Sequence, residues 1–185
     1  MIITEDSLRS DGAPGKRLIA PVEHNPIQVM LTERLQVADI IDNIVDQIGP
    51  SEIWQTTFSV SEEFLRRIYF IRKSGKIREA HLIIDHKATL KTLKLWKFIS
   101  AVYDTSFMTD NHSKILLALS ASGKKVSVVT SQNLTRGNRF ESTIITTEEH
   151  IFDKLLETFD NITKYKSVPL DELLGRKLTD DTAMG

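Results

Sequence analysis

The residues in this chain best suited to chemistry are His112 and Lys114, Ser131 and Asn133, and Glu141. They bring an imidazole, an ammonium group, a hydroxyl, a carboxamide and a carboxylate, a set able to attack, to hold an anion and to relay a proton. Taken alone, His112-Ser-Lys114 is weak evidence. It gains weight from position, because strand geometry sends alternate side chains to one face. His112 and Lys114 share a face at the start of a strand, and Ser131 and Asn133 share one at the end of the next. Glu141 follows across a loop, so five polar groups can converge on one sheet edge.

The elements that must position them are legible in the apolar pattern. Leu35, Val37, Ile40, Ile41, Ile44, Val45 and Ile48 recur at helical spacing and stop at Gly49-Pro50. Residues 52–58 suit a strand, and Ser59 with Glu62 forms a capping box for a helix reaching Lys73. Residues 80–84 read as a buried strand, followed by a helix that turns Leu90, Leu93, Phe98 and Ile99 inward. Residues 113–119 and 125–130 form strands joined by a turn at 120–124, and 142–146 a third. A closing helix begins at Thr146 or Thr147, with Glu149 completing a box, and buries Ile151, Leu155, Leu156, Phe159 and Ile162. This order predicts an α/β domain, a mixed β-sheet with helices on both faces. Residues 1–26 read as an extended or flexible arm, 27–168 as the domain and 169–185 as a flexible tail.

The order H-x-K, strand and turn, S-x-N, then a glutamate resembles the catalytic half of the phospholipase D superfamily, and most of all its single-motif nucleases. The likeness spans roughly residues 50–165 and is motif-specific from Asn111 to Ser142. It implies that His112 is the nucleophile, forming a phosphohistidine. Lys114 and Asn133 would hold the non-bridging oxygens, Ser131 would add a hydrogen bond and Glu141 would orient the imidazole. It calls for neither metal nor cofactor. The leaving oxygen needs a proton, which the superfamily takes from the histidine of a second motif. His81 and His86 lack a lysine two residues on, so this chain has one motif, and a homodimer would complete one shared site. Two positions depart from the fuller family motif: Leu119 stands where an aspartate is found, and Thr130 where a glycine precedes S-x-N. The first departure points away from a lipase more than from a nuclease.

At 185 residues, with 41% hydrophobic and 26% charged residues and a mean hydropathy of -0.17, the chain fits one buried core. Without cysteine there is no disulfide framework, thiol nucleophile or thiolate zinc site. No apolar run approaches membrane-spanning length and the start is acidic and polar, so the expectation is a cytoplasmic protein that does not engage membranes. The net charge of -1 hides an asymmetry: residues 66–97 carry ten Lys or Arg against Glu79 and Asp85. That is the footprint of a polyanion or simply a solvated helix face. Lys87, Lys91 and Lys94 on one helix face, with Arg136 and Arg139 beside the site, become candidate nucleic-acid contacts, DNA ahead of RNA. Trp54 and Trp96 read as core or interface aromatics, not as stacking platforms for bases. The leading function is therefore a metal-independent nuclease, followed by a catalytically silent nucleic-acid-binding or interaction module with the same fold, with a phospholipase third.

Overall fold

Eight strands form one mixed sheet in the order β1-β7-β6-β5-β2-β3-β4-β8, in a computed structural model that describes residues 18–172, without the side chains of 88–93. In chain order they are β1 (Ile27–Thr32), β2 (Ser51–Thr57), β3 (Ile77–Asp85), β4 (Thr105–Thr109), β5 (Ile115–Ser120), β6 (Lys125–Thr130), β7 (Glu141–Thr146) and β8 (Val168–Pro169). Four helices lie wholly within the described residues: α1 (Val37–Ile48), α2 (Glu62–Lys73), α3 (Thr89–Val102) and α4 (Glu149–Tyr165). β2, β3 and β4 run parallel, because α2 and α3 carry the chain back across the sheet between them, while the other pairings are antiparallel.

The expected layering is present. Ile40, Ile41 and Ile44 of α1, Leu65 and Ile68 of α2 and Ile99 of α3 join one core with Ile53, Leu82, Ile84 and Val128 of the sheet. On the opposite face Phe152 and Phe159 of α4 pack on Trp54, Ile83 and Leu117. The apolar central strands are thus covered on both sides, which is why their sequences run aliphatic without alternation. The core extends back to Leu18, Ile19 and Val22 and forward to Leu170, all buried. Residues 1–17 and 173–185 lie outside the described residues. Among the described residues, no helix is long and apolar enough to cross a membrane.

Local signals held where the backbone demanded them. Gly49 ends α1 at φ +92°, and Gly123 takes φ +86° in the β5–β6 hairpin, conformations that strain any residue with a Cβ. Two caps moved. Ser61, not Ser59, caps α2 by accepting the Phe64 N–H at 3.2 Å, because Val60 is committed to a bridge with Leu134. α4 starts at Glu149 behind Glu148, since Thr146 still belongs to β7 and pairs with Ile27. β1, β4 and β8 were not expected from the sequence.

Candidate active site

One end of the sheet gathers the carboxyl ends of β2, β3, β4 and β6 and the starts of β5 and β7. His112 and Lys114 lie there, in the loop leading into β5, and not on the strand as their spacing suggested. The loop is held by side chains in place of a ladder. Asp85, buried at the end of β3, accepts the backbone N–H of Lys87 at 2.7 Å through one oxygen and that of Asn111 at 2.8 Å through the other. The Asn111 amide donates to the Thr57 carbonyl at 3.0 Å, and its oxygen accepts the Ser113 hydroxyl at 2.5 Å. Ser113 in turn shares a hydrogen bond with Thr56 at 2.8 Å, and Thr56 accepts the Ile115 N–H. Each step fixes backbone on either side of His112, so the exposed imidazole rests on a rigid base.

Lys114 Nζ donates to the His112 carbonyl at 2.7 Å and lies 3.2 Å from Nδ1 of its ring. The Phe58 ring stands against the imidazole with centroids 5.6 Å apart. Partial burial holds the Lys114 ammonium below its ordinary pKa, and the Glu141 carboxylate pulls it part of the way back. Rates that need the charged ammonium should therefore fall as pH rises through this lowered value. In Glu141→Gln the opposing pull is gone, so the alkaline limb of the pH–rate profile should move to lower pH. A limb left in place would detach Glu141 from Lys114.

The β6–β7 loop supplies the rest. The Ser131 hydroxyl donates to the Glu141 carboxylate and accepts the Ser142 N–H at 3.0 Å. Asn133 Oδ1 accepts the Phe58 N–H at 3.3 Å, tying this loop to the end of β2. Gln36 clasps Gly137 through both amide atoms, and buried Gln132 donates to the Leu35 carbonyl at 2.8 Å. Thr130 uses its side chain where a glycine was the family expectation, donating to the Ser142 carbonyl at 2.9 Å, while its N–H meets the Lys114 carbonyl at 3.0 Å. Within one chain, then, Glu141 bonds Ser131, and the ring of His112 is met by Lys114 and Phe58. Leu119 sits at the far end of β5 and packs in the α4 core.

The basic residues divide sharply. Arg139 lines a small cleft with Asn133 and Glu141, beside the site. Arg136 pairs with Glu63 at 3.1 Å and Lys87 with Asp110 at 3.3 Å. Lys87 belongs to a short 3-10 turn ahead of α3, Lys94 is exposed on α3, and the Lys91 side chain lies outside the described residues. Much of the charge between 66 and 97 is matched by acids from elsewhere: Arg66 by Glu62, Arg67 by Asp39, Arg72 by Asp104, and Lys76 by Asp42 and Asp46. The sequence excess is thus no uniform polyanion footprint. Trp54 is buried in the core under α4, and Trp96 packs at the edge of the core on the opposite face.

Sequence reading missed the positioning residues Asp85, Asn111 and Thr57. An aspartate closing a buried aliphatic strand was the one local clue. Among the described residues, two groups have the donor types for a cation: Asp85, His86 and Asp110 beside the site, and Glu52, Glu79 and His81 at the other end of β2 and β3. In the first, Asp85 already spends both oxygens on backbone N–H groups.

No family model matches the sequence, and no curated protein matches it either. Solved structures do. The phospholipase D family member Nuc from Salmonella typhimurium superposes with a TM-score of 0.58 at 12% identity, over 76% of this chain and 95% of that one. NucT from Helicobacter pylori gives 0.57 at 11%, over 76% and 96%. The chain has the phospholipase D fold. TrmBL2, an archaeal chromatin protein with a novel mode of DNA binding, gives 0.52 at 14% identity, over 83% of this chain and 57% of its own. The phospholipase D fold therefore spans nearly the full length of the two small relatives, and the candidate residues occupy one end of its sheet.

Proposed function

We propose that this chain is half of a metal-independent phosphodiesterase, a nuclease that acts through a phosphohistidine and is completed by a second copy. The observation that carries the reading is the cluster at one sheet end: His112 against Lys114, with Ser131, Asn133, Glu141 and Arg139 on the facing loop. In this mechanism a ring nitrogen of His112 attacks phosphorus while the bond to the leaving oxygen breaks. Lys114 and Asn133 face the non-bridging oxygens, where negative charge builds. The leaving oxygen takes a proton from the partner subunit's His112, which starts as the imidazolium. That histidine, now neutral, removes a proton from water as the water oxygen attacks phosphorus and the P–N bond breaks. Both imidazoles end as they began.

Labelled DNA incubated in excess EDTA tests it: cleavage should persist undiminished. Loss of cleavage on chelation would overturn it, and would direct attention to Asp85, His86 and Asp110. A second reading, a nucleic-acid-binding module without turnover, draws support from Leu119 in place of the family aspartate and from the likeness to TrmBL2. Salt-dependent DNA affinity with no product would select it. RNA and phospholipid vesicles as parallel substrates separate the remaining alternatives.

A further inference from the structure

In the proposed reaction the polar groups of the site serve the phosphate. Lys114, Asn133 and Arg139 meet charge and oxygen geometry, which positions a diester without recognising what its esters carry. One aromatic side chain stands with them. The Phe58 ring lies with its centroid 5.6 Å from that of the His112 ring, tilted by 57°.

Phe58 follows the last residue of β2 and is held from both sides. Buried Thr57 accepts the Leu134 N–H at 3.1 Å and donates to the Ser59 carbonyl at 2.8 Å, and buried Val60 bridges to the same Leu134. The Phe58 N–H itself is spent on Asn133. Yet the ring joins neither apolar core and stays partly exposed. Its backbone is therefore fixed by the fold, while the fold makes no core use of its side chain. What remains of the ring surface faces the neighbourhood of the nucleophile, where the substituents of a bound diester must lie.

We propose that Phe58 determines specificity here, as the surface on which an unpaired nucleobase next to the scissile phosphate rests. The inference deepens the phosphodiesterase reading and rests on it for the position of the phosphate. Every base has a π face, so such a contact adds affinity with little sequence preference. A glycerol or alkyl ester has none, so the same ring favours nucleic acid over phospholipid. A base inside a duplex must leave its stack to reach the ring, at a cost that a single strand does not meet.

Two labelled oligomers test it, a single-stranded thymidine oligomer and the same oligomer built from abasic residues. Wild type should cleave the first with a kcat/KM about 10- to 100-fold higher, the span of one contact between a base and an aromatic ring. Phe58→Leu, which keeps an apolar side chain against His112, should cleave both at the wild-type abasic rate. Phe58→Trp should restore the preference, and Phe70→Leu, at an exposed aromatic position on α2, should leave it unchanged. Pairing the thymidine oligomer with its complement should slow wild-type cleavage at least about tenfold. Equal wild-type rates on the two oligomers overturn the proposal, as does a duplex cut as fast as the single strand. A Phe58→Leu variant that slows both oligomers alike also overturns it, because the ring then only positions the imidazole. A wild type that cleaves neither oligomer removes the phosphodiesterase reading instead. Fluorescence anisotropy with the same oligomers then decides the contact: tighter binding of the base-bearing oligomer, lost in Phe58→Leu, keeps it, and equal binding overturns it.

Discussion

His112→Ala should lower chelator-resistant diester cleavage by at least about 10³-fold, the scale on which removal of a nucleophile is felt when the surrounding donors remain. The substitution should leave the fold alone, because the imidazole is exposed and its ring contacts are Lys114 and Phe58. A phosphorylated adduct trapped by rapid quench of wild type should survive alkali, be lost in acid, and be missing from the variant. Cleavage within tenfold of wild type would show that His112 is not the nucleophile. Circular dichroism and the unfolding midpoint should match those of wild type, which separates lost chemistry from lost structure.

Asp85→Ala should do the opposite, costing stability first and activity as a consequence. The Asp85 carboxylate is buried and holds two backbone N–H groups, those of Lys87 and Asn111. Alanine orphans both, and at about 1–3 kcal/mol for each unsatisfied group the loss should be about 2–6 kcal/mol. Urea unfolding at pH 7 measures it as a lower midpoint with an unchanged slope. Activity under native conditions should fall by about 10- to 100-fold, the range in which an outer support of a site is felt, because the loop bearing His112 loses its anchor. Asp85→Asn keeps one acceptor oxygen and should fall between. Full stability in Asp85→Ala would show that the loop is fixed from elsewhere.

Periodicity exposed α1, α2 and α4 because each presents one unbroken apolar stripe, and it exposed β2, β5 and β6 because they are branched and flanked by turn residues. It passed over β4 and β8, which are short and include polar residues or proline. It also passed over β1, six residues between the arm and α1 that were assigned to no element. The motif residues were legible as types at set spacings. Their support was not, because Asp85 meets Asn111 across 26 positions and Thr57 meets Leu134 across 77. No local window contains such pairs. The same limit applies to charge: Arg67 and Asp39 stand 28 positions apart, so the basic run looked unopposed until the chain was folded.

The half-site is stitched from the ends of strands that lie far apart in sequence, from Thr57 of β2 to Glu141 of β7. Parallel neighbours such as β2, β3 and β4 can pair only after their crossover helices have closed long loops, which is slow and pays its entropy early. Local fragments can bring His112 to Lys114 and Ser131 to Glu141, but the two halves of the cluster meet only when the sheet has formed. An emerging or partly unfolded copy would carry His112 on an unheld loop, silent toward any diester it met. In the proposed phosphodiesterase, competence would arrive only with the finished sheet, and the chemistry would report on the integrity of the whole fold.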